Sequence, residues 1–337
     1  MTEPLLEVRN LRTCFWTEEG VVRAVDGVSF SIDEGERFGL VGESGSGKSV
    51  TAATILRLID PPLGEVLSGQ IMFRGTDLLT LSEKELRGVR GGQIAMIFQD
   101  PMTALDPVFT IGAQLIETIK LHRDVSDREA REIAIEALAD VGIPQPDRRL
   151  DDHPHVFSGG MRQRVVIALG LVTEPSLLIA DEPTTALDVT TQAQTLDLIR
   201  SLVDERGMAL LLISHDLGVV AGLCDRMAVM YAGRLVETAT VKELFGKPLH
   251  PYTAGLLGSI ARLDRARDRR LRQIPGSPPS LLALPQGCSF QARCAYATEV
   301  CGTHVPMLVD STPGHAAACH HAGHLEPVES AEPVSVR

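Results

Sequence analysis

The stretch Phe38-Gly39-Leu40-Val41-Gly42-Glu43-Ser44-Gly45-Ser46-Gly47-Lys48-Ser49 decides the fold. Its apolar start reads as a short strand and its middle as a glycine-rich loop. The residues from Lys48 to Ile59 read as a helix halted by Pro61-Pro62, since proline cannot continue a helix. From Gly42 to Ser49 the run fits the pattern G-x-x-x-x-G-K-S/T. Gly42, Gly45 and Gly47 remove Cβ atoms, so backbone N–H groups can wrap an anion in dihedrals that other residues resist. The helix that follows aims its positive end at the same anion. Lys48 then reaches β- and γ-phosphates, Ser49 can ligate Mg²⁺, and Ser44 sits in the same cradle.

Downstream, apolar runs alternate with longer helical patterns. Ile94 to Phe98, Leu177 to Ala180, Ala209 to Ser214 and Met227 to Tyr231 read as buried strands, which predicts an α/β domain with a largely parallel sheet. The run Leu177-Leu178-Ile179-Ala180 ends in Asp181-Glu182. Carboxylates at the end of a buried strand are costly unless they meet a cation. Asp181 is placed to hold Mg²⁺ through water, and Glu182 to orient and deprotonate an attacking water. His215 follows another strand and can bond a γ-phosphate; Asp216 beside it either tunes that histidine or faces solvent. Gln99, at a strand end, can contact Mg²⁺ or the attacking water.

Between Gln99 and about Thr173 the pattern is helical. Ser126-Asp127-Arg128-Glu129 is a capping box, Ile133, Ala137, Leu138 and Val141 follow at helical spacing, and Gly142 can end that helix. Near the end of this region Ser158-Gly159-Gly160 opens another helix with free amides and a hydroxyl, a second anion-binding device. One nucleotide rarely needs two cradles in one chain, so this one is expected to clamp a nucleotide held by a partner chain.

Composition narrows the classes. The 337 residues suggest about two domains. Asp and Glu exceed Lys and Arg by 44 to 32, a net charge of −12 that repels phosphate backbones, and only 4% of residues are aromatic, so stacking platforms for single strands are not expected. No nucleic-acid partner is expected. No uninterrupted apolar run reaches the roughly 18 residues of a membrane span, and the first ten residues carry Glu3, Glu7 and Arg9 without an apolar signal core, so export is not expected.

Past Gly246 the character changes. Arg262 to Arg272 holds six arginines and two aspartates, read as a solvated helix face or a binding patch. Ile274 to Pro285 reads as a linker or extended arm, and the tail after His324 as disordered. Between them lies the spacing Cys288-x5-Cys294-x6-Cys301-x17-Cys319. Four thiolates suit tetrahedral zinc or a 4Fe–4S cluster, and the lack of paired C-x2-C knuckles weighs against a zinc ribbon. His304, His315, His320 and His321 lie nearby as substitute ligands or surface histidines.

The phosphate loop, Gln99, Ser158-Gly159-Gly160, Asp181-Glu182, Ala186-Leu187-Asp188 and His215, in this order, resemble the nucleotide-binding subunits of ATP-binding-cassette (ABC) transporters. Phe98 to Thr103, Gly159 to Arg164, Asp181 to Asp188 and His250-Pro251-Tyr252-Thr253 look like the oligopeptide, dipeptide and nickel importer branch, and the similarity runs from about residue 5 to 322. Phe157 and Met161 depart from the usual leucine and glutamine of the signature.

The resemblance implies an α/β P-loop NTPase cassette. Residues 1–99 and 174–246 would form a RecA-like core with an N-terminal antiparallel β part, 100–173 the helical signature subdomain, 247–323 a small Cys-rich extension, and 324–337 a tail. It also implies MgATP hydrolysis, with ATP bound by the phosphate loop and Asp188, and by Ser158, Gly159 and Gly160 at the partner's site. An aromatic, Phe15 or Trp16, stacks on adenine. Cys288, Cys294, Cys301 and Cys319 would carry a 4Fe–4S cluster, with zinc the lesser alternative. The implied partners are a second, paralogous ABC ATPase, two transmembrane permease subunits and an extracytoplasmic substrate-binding protein, at the cytoplasmic face of the inner membrane. Nickel import by the same branch, a soluble ABC ATPase of translation or repair, and a scaffold with a vestigial cassette are the rival readings.

Overall fold

The computed structural model describes residues 3–100, 104–185, 188–259 and 274–324. Met102-Thr103, Ala186-Leu187, the arginine-rich run and the tail beyond residue 324 lie outside these residues. Among the described residues no helix is long and apolar enough to cross a membrane. The strands, in chain order, are β1 Leu6–Thr17, β2 Gly20–Ile32, β3 Arg37–Val41, β4 Gly64–Phe73, β5 Thr76–Asp77, β6 Ile94–Ile97, β7 Leu177–Asp181, β8 Ala209–Ser214, β9 Arg226–Tyr231, β10 Arg234–Thr240, β11 Val309–Thr312 and β12 His315–Ala317. The chain divides into two compact units: residues 1–32, 37–79 and 213–337, and residues 33–36 with 80–212.

In the first unit β1 is the hub of an antiparallel sheet ordered β2-β1-β4-β5. Every second residue in much of β1 and β2 turns inward, so Leu6, Val8, Val28, Phe30 and Ile32 are buried while their neighbours meet solvent. A second set of strands runs β11-β12-β10-β9-β3. There β3 and β9 pair in parallel, Phe38 opposite Arg226 and Val41 opposite Val229. Almost every residue of both strands is buried, as the uninterrupted apolar runs require of strands covered on both faces. β10 returns antiparallel to β9, and β12 and β11 extend the sheet antiparallel.

The helix after the phosphate loop spans Lys48–Ile55, shorter than the expected run to Ile59. Arg57 takes a left-handed φ of 50°, its N–H reaches the Thr54 carbonyl (2.9 Å), and the Leu58 N–H reaches back to Ala53 (2.8 Å). That closing motif satisfies the last carbonyls well before Pro61.

The second unit holds β8-β7-β6, with the first four residues of β8 counted here, and the helices of the segment expected to be helical. β6 and β7 are parallel, Ile94 opposite Leu177. The capping box is formed: Ser126 Oγ accepts the Glu129 N–H (3.3 Å), and the Glu129 carboxylate accepts the Ser126 N–H (2.9 Å), opening the helix Asp127–Asp140.

The C-terminal residues of the first unit are tied down by a buried carboxylate. Glu237 on β10 is fully buried and accepts the N–H groups of Leu249 (2.7 Å) and His250 (2.9 Å), while His315 Nε2 lies 2.8 Å from its Oε1. Thus β12 and the turn before the helix Pro251–Ser259 share one anchor. Replacing Glu237 with alanine strands these donors, and such losses cost about 3–5 kcal/mol. E237A is expected to lower the thermal unfolding midpoint measurably; an unchanged midpoint would show that the anchor contributes nothing.

Candidate functional site

In the first unit, β3 delivers the chain into the glycine-rich loop. Gly42 and Gly47 are buried, whereas Ser44, Gly45 and Ser49 are exposed. Gly47 has φ of 106°, and a Cβ there would stand 2.2 Å from the carbonyl oxygen of Ala24. Only glycine makes this turn, and it is the turn that caps the helix at Lys48. Lys48 is buried, and its ammonium donates to the carbonyls of Gly42 (2.8 Å) and Glu43 (3.1 Å). The Ser46 hydroxyl is buried without a protein hydrogen-bond partner. A loop that holds its lysine on its own carbonyls and aims an unpaired hydroxyl inward is suited to an anion that takes over both.

His215 is exposed just past β8. Asp216 is exposed, and its carboxylate caps the next helix, accepting the N–H groups of Gly218 (2.7 Å) and Val219 (3.4 Å). Of the two aromatics near the N-terminus, Phe15 packs where a Cβ on Gly64 would lie 2.9 Å from its ring, whereas Trp16 is 48% exposed. Adjacent β1 residues point to opposite faces, so the two rings are alternatives rather than a pair.

The second unit carries the acids. Asp181 ends β7 and is buried, and Glu182 follows in a left-handed conformation, φ 46°, which is unfavourable for a residue that carries a Cβ. Glu182 Oε2 accepts from Gln99 Nε2 (3.1 Å) and from Thr185 Oγ1 (2.9 Å). Gln99, expected at metal or water, touches the carboxylate that was expected to orient that water. Thr185 was not legible as a partner; its spacing of three residues after Glu182 was the available signal. Asp188 is the N-cap of the helix Val189–Arg206, accepting the N–H groups of Thr190 (3.1 Å) and Thr191 (3.0 Å) and the Thr191 hydroxyl (2.7 Å). These hydrogen bonds hold its carboxyl below the ordinary range. Its observed work is thus structural.

Ser158 caps the helix Gly159–Leu171, its hydroxyl accepting the Met161 N–H (3.3 Å), so that hydroxyl is engaged with its own helix. Ser158 and Gly159 are exposed at the helix start. A Cβ on Gly160 would come within 2.8 Å of Thr191, the residue Asp188 caps, so the two motifs are packed together. Phe157, in place of leucine, is buried with the Arg149 guanidinium 5.7 Å from its ring centre; any large apolar residue serves there.

The four clustered cysteines do gather. Burial pushes Cys288, Cys294 and Cys319 up, Cys319 to about 11, and the other thiols of the set push in the same direction. The Tyr296 N–H points at Cys294 Sγ (3.3 Å) and the His321 N–H at Cys319 Sγ (3.4 Å). His321 Nε2 stands 3.7 Å from Cys301 Sγ, whereas His315 serves Glu237 and His320 pairs with the His304 carbonyl (2.9 Å). Yet no group of three or more His, Cys, Asp or Glu among the described residues already has the geometry to hold a metal ion. The expected 4Fe–4S or zinc site is therefore not formed by these side chains as they stand.

The sharpest local test is Gly47→Ala. Its Cβ must displace Ala24 or distort the loop, a strain of about 1–3 kcal/mol. Phosphate-ligand affinity should fall about tenfold or more in equilibrium binding; native affinity would contradict the reading of the loop.

The chain resembles known proteins along most of its length. A family model described as ABC transporter matches residues 25–185, and one described as oligopeptide/dipeptide transporter, C-terminal region, matches residues 236–301. A probable peptide ABC transporter ATP-binding protein of Sinorhizobium fredii is 54% identical over 94% of both chains. The dipeptide transport ATP-binding protein DppD of Bacillus subtilis is 50% identical, again over 94% of both. Among solved structures, the dimeric post-hydrolysis ATP-binding cassette MJ0796 bound to ADP and Pi superposes with a TM-score of 0.63 at 27% identity, covering 70% of this chain and 98% of that one. With relatives this similar along almost its whole length, the chain belongs to the family of ABC transporter ATP-binding proteins.

Proposed function

We propose that this chain is the ATP-hydrolysing subunit of an importer of dipeptides or longer peptides. The observation that carries this reading is the pairing of a phosphate loop built around Gly47 and Lys48 with a C-terminal region of the oligopeptide/dipeptide type. Lys48 and the loop amides bind the β- and γ-phosphates, and Ser49 and Asp181 are the residues that would hold Mg²⁺, which would neutralise phosphate charge. Glu182, oriented by Gln99 and Thr185, accepts the proton of the attacking water. His215 bonds the γ-phosphate. Phe15 or Trp16 stacks on the adenine, with the exposure of Trp16 favouring it. The exposed amides at Ser158 and Gly159 clamp the nucleotide of a second ATPase subunit. Asp188 supports that clamp by fixing Thr191 against Gly160.

In this reading two transmembrane permeases and an extracytoplasmic binding protein complete the system, and the chain is peripheral at the inner face of the cell membrane. ATP binding supplies the closure and hydrolysis resets it. The relatives named for peptide and dipeptide transport favour peptides over nickel. Glu182→Gln keeps the hydrogen-bonding shape but loses the base. It is expected to bind MgATP normally while turnover falls about 10²–10⁴-fold; native turnover in the assembled transporter would end the assignment.

We also propose that Cys288, Cys294, Cys301 and Cys319 hold a 4Fe–4S cluster. Four cysteines in one short region are a donor set of the right chemistry, and peptide N–H groups point at the sulfurs of Cys294 and Cys319. The cluster would cross-link the extension, with no part in the chemical step of hydrolysis. Iron and acid-labile sulfide, each about four per chain, are expected in protein purified without oxygen; stoichiometric zinc with no iron would contradict it.

A further inference from the structure

The Cys-rich extension does more than pack beside the cassette: it holds one residue of the phosphate loop. Glu43, the loop residue after Gly42, has each of its polar parts engaged. Its N–H donates to Tyr252 Oη (3.0 Å), its carbonyl accepts from the Lys48 ammonium (3.1 Å), and its carboxylate takes both Arg293 Nη1 (2.8 Å) and Nη2 (3.1 Å). Arg293 lies 250 residues away in sequence. Its side chain is only 7% exposed, its Nε donates to the Pro275 carbonyl (2.9 Å), and its Nη1 lies 3.3 Å from Tyr231 Oη. Its guanidinium stands 5.8 Å from the ring centre of Tyr231 and 6.0 Å from that of Phe290. The rings of Tyr231, Tyr252 and Phe290 meet at 4.6 to 5.4 Å, so both groups that hold Glu43 stand on one aromatic platform.

The platform is itself anchored. His250 is fully buried, and burial pushes it down to about 3, so it stays neutral and its Nδ1 accepts the Tyr252 N–H (3.0 Å). Its own N–H goes to the Glu237 carboxylate that also pairs with His315. A chain of bonded groups therefore runs from β12 through Glu237, His250 and Tyr252 to Glu43, and returns to the extension through Arg293. The His-Pro-Tyr run of the sequence acquires a physical purpose here: the histidine sets the turn, and the tyrosine reaches the loop.

We propose that Arg293 and Tyr252 are positioning residues for nucleotide binding, by which the extension holds Glu43, and with it the carbonyl that Lys48 rests on, in the conformation that accepts the triphosphate. This rests on the reading of the loop as the ATP site. The bidentate fork fixes the carboxylate in direction as well as distance, which a lysine cannot reproduce. The turn Gln291–Arg293 lies between Cys288 and Cys294, so whatever orders the thiols also orders the arginine.

The test is equilibrium binding and steady-state hydrolysis of MgATP by the full chain with its partner subunits, comparing wild type with R293A, R293K, E43A and Y252F. R293A and E43A should each weaken MgATP binding about tenfold, a coupling of ordinary size between linked sites. The loss should be larger in Kd and KM than in kcat at saturating MgATP. The R293A/E43A double variant should be no weaker than either single, since both remove one interaction. R293K should recover part of the affinity, and Y252F, which keeps the ring and loses only the acceptor, should weaken binding severalfold. Native Kd in folded R293A and Y252F, or additive losses in the double variant, would overturn the proposal. A wild-type chain that does not bind MgATP would instead defeat the functional reading, and this one with it.

Discussion

Everything the first unit offers to a nucleotide depends on one steric constraint: the chain must turn at Gly47 with a positive φ against the Ala24 carbonyl. That turn starts the helix at Lys48 and keeps the lysine buried on the loop's own carbonyls. A side chain at this point would push on β2, so the loop and the antiparallel sheet are fitted to each other. The cost of the left-handed turn is borne by glycine, where it is least.

The second unit solves a different problem, that of holding two acids at the end of a buried strand. Asp181 is buried at the end of β7, and Glu182 is held in a backbone region that glutamate disfavours. Gln99 and Thr185 then fix its carboxylate from two sides. Such strain persists only where surrounding structure over-determines it, and it is found preferentially at working sites. The same unit packs Gly160 against Thr191, and Asp188 caps Thr191, so a signature helix and an acid-capped helix are built as one piece.

The buried strands β3, β6, β7, β8 and β9 and the phosphate loop were legible because their signals are local. Apolar runs of five or six residues, a glycine pattern and a capping box each depend on neighbours in sequence. The end of the helix at Ile55 was not, because Arg57 adopts a conformation that its side chain does not advertise. The capping roles of Asp216 and Asp188 were not read from the sequence, because an aspartate before a helix caps it whether or not it also lies near a ligand. The grip of Arg293 on Glu43 was invisible, since nothing in a sequence couples positions 250 residues apart. The cysteine spacing announced a thiol cluster, and the structure gathers the thiols without arranging them as metal ligands.

The central claim is that hydrolysis on this chain drives peptides across a membrane. The most direct measurement places the chain, its partner ATPase, the permeases and the binding protein in sealed vesicles, with MgATP on the side of the ATPases and labelled dipeptide or longer peptide on the other. The account predicts uptake that requires MgATP and vanishes when Glu182 is replaced by glutamine. Hydrolysis at the wild-type rate with no peptide uptake, or with nickel accumulating in its place, would contradict it.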